Sequence, residues 1–205
     1  NQRYHNIMDH SDATFERVFL SYEGLTSKQR DRCYFHDKSL AEVDEKWGAF
    51  TSWLQSEDNR IFWVRGKPGS GKSTLMKFVL ESKQTRQLLE TWNPGAIIIS
   101  HFFWKIGSQF QNTIHGLLCG LLHQILRNDE NKMDQLLSHF NAASSKDSHH
   151  DWSDRELQAA ILFILRLQGQ STCIFIDGLD EISNKDGYLK LMKVVEELNL
   201  CDNVK

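Results

Sequence analysis

The stretch that decides the fold is "WVRGKPGSGKSTLMK", Trp63–Lys77. Here three glycines and a proline separate the apolar run "IFWV" at 61–64 from a helical pattern carrying Leu75, Phe78 and Val79. Within it, "GKPGSGKS", Gly66–Ser73, fits the phosphate-binding loop pattern G-x-x-x-x-G-K-[ST]. A polyphosphate needs several backbone N–H groups pointing inward, and a chain can curl that closely only where a Cβ is missing. Gly66, Gly69 and Gly71 supply that freedom, with Lys67, Pro68 and Ser70 completing the loop. A helix starting near Lys72 adds N-terminal amides and the positive end of its dipole. Lys72 would reach β- and γ-phosphates, the Ser73 hydroxyl would ligate Mg²⁺, and Thr74 would lie near an α-phosphate. Lys67 reads as a solvated loop charge. Such a match arises by chance on the order of once per hundred chains of this length. The strand–loop–helix context makes it rarer still.

Outward from the loop, apolar side chains at Ile7, Phe15, Val18, Phe19 and Leu20 predict a helix over 3–20. Leu40, Val43, Trp47, Phe50 and Leu54 recur at steps of three and four, which predicts an amphipathic helix leading into a strand at Ile61–Val64. "AIIISHFFW", Ala96–Trp104, is too apolar to keep one face in water and reads as a strand covered on both sides. Ile114, Leu117, Leu118, Leu121, Leu122, Ile125 and Leu126 mark a buried helix despite Gly116 and Gly120. "NAASSKDSHHD" reads as a surface loop, and Ser153 with Glu156 forms a capping-box pattern opening the next helix. "STCIFIDGLDE" supplies another buried strand, and Tyr188, Leu189, Met192, Val195 and Leu198 mark a last helix. Strands separated by helices predict an α/β fold with a parallel sheet. The expected division is a helical lead-in over 1–55 and a core over 56–205.

Lys72 alone cannot organise Mg²⁺, so a carboxylate is expected at the carboxyl end of another strand. Asp177, after four apolar residues in "CIFID", meets that requirement as the Walker B acid. Asp180 and Glu181 follow closely. Either could orient or deprotonate an attacking water, with Glu181 the first choice as base.

Composition narrows the alternatives. With 205 residues, 40% of them apolar, the chain can bury a core, and a net charge of −3 gives no global attraction to nucleic acid or anionic membranes. Cys33, Cys119, Cys173 and Cys201 lie far apart without zinc-ligand spacing, so reduced thiols in a cytoplasmic setting are expected. No apolar segment approaches the ~20 residues that span a bilayer. His115 and His123 on an apolar helix, and His149 and His150 in a polar loop, read as packing or solvated residues. The absence of an initiator Met and of a C-terminal signature reads as a piece of a longer protein.

"GKPGSGKST" together with "CIFIDGLDE" resembles the NACHT branch of the STAND nucleoside-triphosphatases, in which a tiny residue follows the metal-binding Asp and two acids lie three and four positions beyond it. Gly178, Asp180 and Glu181 occupy those positions. "RYHNIMDHSDATFERVF", "WGAFTSWLQSEDNRIFWVRGKPGSGKSTLMK" and "SHFFW" look like the nucleotide-binding core of fungal NOD-like receptors and nephrocystin-type proteins. The resemblance implies a P-loop NTPase of three αβα layers with a mostly parallel sheet. It also implies ATP/ADP and Mg²⁺ as ligands, and Arg3 and Ile7 as candidates near the adenine. Its functional implication is a cytoplasmic switch of the innate-immunity type. In such a switch ADP holds a closed receptor, ATP favours self-association, slow hydrolysis resets it, an effector domain lies upstream and a repeat sensor downstream.

Two features test that reading. The family's next strand, which ends in a sensor Arg, would lie between the loop-bearing strand and the Asp177 strand. Ile61–Val64 and Cys173–Ile176 should therefore not pair directly, and the chain ending at Lys205 should leave an apolar edge. The rival functions are a GTPase, suggested by "NKMD" at Asn131–Asp134, and a small-molecule phosphotransferase using the same loop. The guanine-reading motif should follow the metal-binding strand, whereas "NKMD" precedes it. No acceptor pocket is legible.

Overall fold

Two six-residue strands, β1 (Ile97–Phe102) and β2 (Thr172–Asp177), form a parallel ladder in which Ile97 faces Thr172 and Phe102 faces Asp177. The computed structural model describes residues 15–19, 45, 48–57, 61–106, 108–127, 129–167 and 170–205. They fall into two compact units, one within Ile7–Gly95 and the other over Ala96–Lys205.

In the second unit the strands are parallel because helices connect them, as the alternating sequence pattern predicts. Among the described residues the helices that build this unit's core are α3 (Ile114–Leu126) and α5 (Asp154–Arg166), between the strands, and α6 (Tyr188–Asn199), after them. α4 (Glu130–His139) bridges α3 and α5. Leu117, Leu118 and Leu121 of α3, Ala160 and Ile161 of α5 and Leu191 of α6 are fully buried in one cluster with Ile99 and Phe103. Each such leucine contributes on the order of 2 kcal/mol by leaving water. The α5 capping box forms as read from the sequence, with Ser153 Oγ accepting from the Glu156 amide at 3.3 Å and Glu156 accepting from the Ser153 amide at 2.8 Å.

Each edge of this small sheet is met over part of its length by described residues. On β1 the side-chain amide of Gln124 substitutes for a missing strand: the Ser100 N–H donates to Oε1 at 3.0 Å and Nε2 donates to the Ser100 carbonyl at 2.9 Å. On β2 the residues after α6 lie in parallel register, with the Thr172 N–H donating to Asn203 O at 2.8 Å and the Ile174 N–H to Lys205 O at 2.7 Å. The edge expected to stand open is thus taken up at its beginning by residues 203–205, because Val204 and Cys201 are apolar enough to be buried.

In the first unit, α1 (Lys72–Glu81) and α2 (Lys83–Trp92) meet at Ser82, whose side chain accepts from the Gln84 amide at 3.1 Å. An aromatic cluster packs beside them: Phe50 lies 5.2 Å from Phe62 and 6.0 Å from Trp53, and Phe78 lies 5.7 Å from Phe15 and 5.9 Å from Phe19. Residues 48–55 are helical, as the Leu40–Leu54 spacing predicts for that part. Three expectations are corrected. Ile61–Val64 carries no regular secondary structure, since Trp63 and Val64 are 39% and 38% exposed and the run lacks the two covered faces of a central strand. Residues 15–18 form a short 3-10 turn rather than an α-helix, and the rest of the helix read over 3–20 lies outside the described residues. Asn141–Ser145 and His149–Asp151 form 3-10 turns within the segment read as a loop.

Candidate functional site

The loop between Val64 and α1 has the local geometry its glycines predict. Gly69 and Gly71 adopt φ of 74° and 82°, a region in which a side chain would strain the backbone. At Gly66 a Cβ would stand 2.7 Å from Ser70 Oγ, a contact that turning the serine side chain relieves. The Lys72 ammonium folds back over the loop and donates to the Gly66 and Lys67 carbonyls, both at 3.0 Å. Two of its three donors then fix it centrally, and the third remains to meet an anion. The Ser70 N–H donates to Lys67 O at 3.2 Å, tightening the turn. Gly71 brings no side-chain acceptor to the first amides of α1. Residues 63–70 are exposed, Lys67 among them as expected, and Ser73 and Thr74 are half-buried. This arrangement suits a polyphosphate tail.

Asp177, Gly178, Asp180 and Glu181 belong to the second unit, whereas the loop belongs to the first. Asp177 ends β2 and is 7% exposed. Its carbonyl accepts from the Phe103 N–H at 3.0 Å, which extends the ladder past β1. Gly178 then turns at φ 72°, where a Cβ would stand 2.8 Å from Phe103 O. The tiny residue read from the family pattern is required here by the backbone. A 3-10 turn, Leu179–Glu181, follows, closed by the Glu181 N–H donating to Gly178 O at 2.8 Å. Asp180 is exposed, and Glu181 Oε2 accepts the Lys105 N–H at 3.0 Å.

Beyond this turn the chain is tied again to the segment following β1. The Ser183 N–H donates to Asn112 O at 2.7 Å, and the Ile114 N–H at the start of α3 donates to Asp186 Oδ2 at 2.9 Å. Lys190 bridges Asp154 at 2.9 Å and Asp186 at 3.4 Å. Burial pushes the Asp154 carboxyl up, but hydrogen bonds from Lys190 and His115 outweigh it and hold the group below the usual range.

His115 sits between Asp154 Oδ1, 2.9 Å from Nδ1, and the His149 carbonyl, 3.0 Å from Nε2. It is a structural residue, as its sequence context suggests, and His123, His149 and His150 are exposed. Among the described residues no three His, Cys, Asp or Glu side chains cluster as metal ligands. Arg3 and Ile7 lie outside the described residues.

Sequence reasoning missed three residues. His101 was absorbed into an apolar strand, yet it is 6% exposed with Nε2 buried and unsatisfied, and burial lowers its pKa to about 4. A histidine in an otherwise apolar strand was the available signal. Gln124 and Asp186 carry no local signal, because their partners lie 24 and 72 positions away.

A family model described as "Nephrocystin 3, N-terminal" matches residues 46–205, a span that includes both the glycine-rich loop and the acidic turn. Neither a curated protein nor a solved structure matches the chain. No described helix is long and apolar enough to cross a membrane.

Proposed function

The chain belongs to the nephrocystin 3 N-terminal family, and from that premise we propose that it is the ATP/ADP-binding module of a STAND-type switch of the NACHT kind. The carrying observation is the Lys72 ammonium held at 3.0 Å by the Gly66 and Lys67 carbonyls, over a loop in which Gly69 and Gly71 turn at positive φ. In this reading Gly66, Pro68, Gly69, Ser70 and Gly71 cradle the phosphates, Lys72 meets the β- and γ-oxygens and Thr74 contacts the α-phosphate. Ser73 and Asp177 would hold Mg²⁺, which when bound neutralises charge on the phosphate oxygens. Of the two acids that follow, one orients the attacking water.

The sheet is compatible with a P-loop NTPase of three αβα layers: it is parallel, and β2 takes β1 on one edge and residues 203–205 on the other. The larger reading follows from the resemblance: a cytoplasmic receptor whose nucleotide state governs self-association, with slow hydrolysis, an upstream effector and a downstream repeat array.

The GTPase alternative loses support from position. Asn131 and Lys132 line a small cavity of about 170 Å³ with Thr172, at the opposite end of β2 from Asp177. Lys132 is paired there with Gln170 at 2.7 Å and Asp129 at 3.2 Å. A base-reading motif belongs at the carboxyl ends of the strands, with the metal site. Equilibrium binding of ATP, ADP and GTP with Mg²⁺ tests the proposal, with Lys72→Ala beside the unaltered protein. Adenine nucleotides should bind preferentially, and an unchanged affinity in Lys72→Ala would sink the site assignment.

A further inference from the structure

The outer edge of β1 is met by a side chain rather than by a strand. Ile97 N–H donates to Ser171 O and Phe103 N–H to Asp177 O, so the odd-numbered backbone groups of β1 turn toward β2 and those of Ile98, Ser100 and Phe102 turn the other way. In the middle of that outer row, Gln124 of α3 takes both Ser100 groups: the N–H donates to Oε1 at 3.0 Å, and Nε2 donates to the carbonyl at 2.9 Å. Nε2 also donates to Gly120 O at 2.9 Å, one helical turn back, which fixes the amide in place. All three bonds are part-buried, and Ile98, Ser100 and Gln124 each keep some contact with solvent.

The strand itself shows what such an amide excludes. "IIISHF", Ile97–Phe102, holds no acid, lysine, arginine or proline, the residues with which edge strands ordinarily discourage pairing. Its outer row is also self-complementary. A second copy brought up antiparallel about a two-fold axis at Ser100 would exchange both hydrogen bonds between the two Ser100 residues. The same register sets Ile98 opposite Phe102, a β-branched residue against an aromatic one. The two bonds exchanged at Ser100 are the ones that the Gln124 amide already makes.

We propose that the outer edge of β1 is a pairing surface for a second copy of this chain, and that Gln124 holds it shut. Neither part of this depends on bound nucleotide. The guard must be an amide, because an amide presents one acceptor and one donor as a strand does, whereas leucine keeps the volume and offers neither.

Sedimentation equilibrium of the intact protein without nucleotide compares the unaltered chain with Gln124→Leu. The average mass of Gln124→Leu should climb with concentration toward twice that of the unaltered protein, and amide exchange at Ser100 should slow as it does. Adding Ser100→Pro removes the outward N–H, so the double variant should return to the unaltered mass. Folded Gln124→Leu that keeps the unaltered mass at every concentration overturns the proposal. So does a double variant that associates as readily as the single one, or an associated form in which the Ser100 amide exchanges freely. Should Gln124→Leu fold poorly, Gln124→Ala, a good helix former too short to reach Ser100, takes its place.

Discussion

The glycine-rich loop and the acidic turn are built on different principles. Around the loop, Lys72 bonds carbonyls five and six residues away, and the strain-prone positions Gly69 and Gly71 have either open space or the edge of Phe15 beside them. The turn at Asp177–Glu181 is fixed by partners more than seventy residues distant, and its glycine is pressed against another backbone. One site can be cut without disturbing the fold, whereas the other shares its bonds with the fold.

The largest expected effect exploits that separation. Lys72→Ala should weaken adenine-nucleotide affinity on the order of a hundredfold through loss of a preorganised cation. Urea unfolding should shift by no more than about 0.5 kcal/mol, as for a side chain outside the core. A comparable loss of stability would erase the contrast between the two regions.

His101 sharpens it from the side of the fold. An exposed histidine titrates near 6.5, and the buried His101 ring is held at about 4, so between those values only the unfolded chain takes up the proton. The stabilisation is complete above pH 6.5 and is lost as pH falls toward 4, a difference on the order of 3 kcal/mol. Urea titrations at pH 7 and pH 4.5 should show it, and His101→Leu should flatten the dependence.

The glycines offer a paired comparison. Gly178→Ala faces both a positive φ and the Phe103 carbonyl, and should cost about 3 kcal/mol in unfolding free energy. Gly69→Ala meets only the backbone strain, about 1 kcal/mol. Equal costs would mean that the turn relaxes as freely as the loop. An effect as small as that at Gly69 is expected at Asp186. Replacing it with alanine removes an acceptor from the first amide of α3, worth about 1 kcal/mol in the same measurement.

Much of this molecule was legible before its structure. The helices Ile114–Leu126, Asp154–Arg166 and Tyr188–Asn199 follow from apolar spacing and one capping box, and the two strands from mainly apolar runs. The geometry of the glycine-rich loop was readable because it is local: glycines where the backbone curls and a lysine within reach of its own loop. Ile61–Val64 was misread for the opposite reason. Four apolar residues make a strand only if both faces are covered, and Trp63 and Val64 are exposed.

The sequence by itself determined the periodicities, the glycine-rich turn and the identity of the acid that ends β2. Only the tertiary structure decided that Gln124 would stand in for a strand beside Ser100, that residues 203–205 would begin to cover the far edge of β2, and that Glu181 would hold the Lys105 amide. Those outcomes are bonds between groups far apart along the chain. Residue type and spacing encode what neighbours can do, while a distant pairing depends on which buried backbone groups remain in need of a partner after the core has closed.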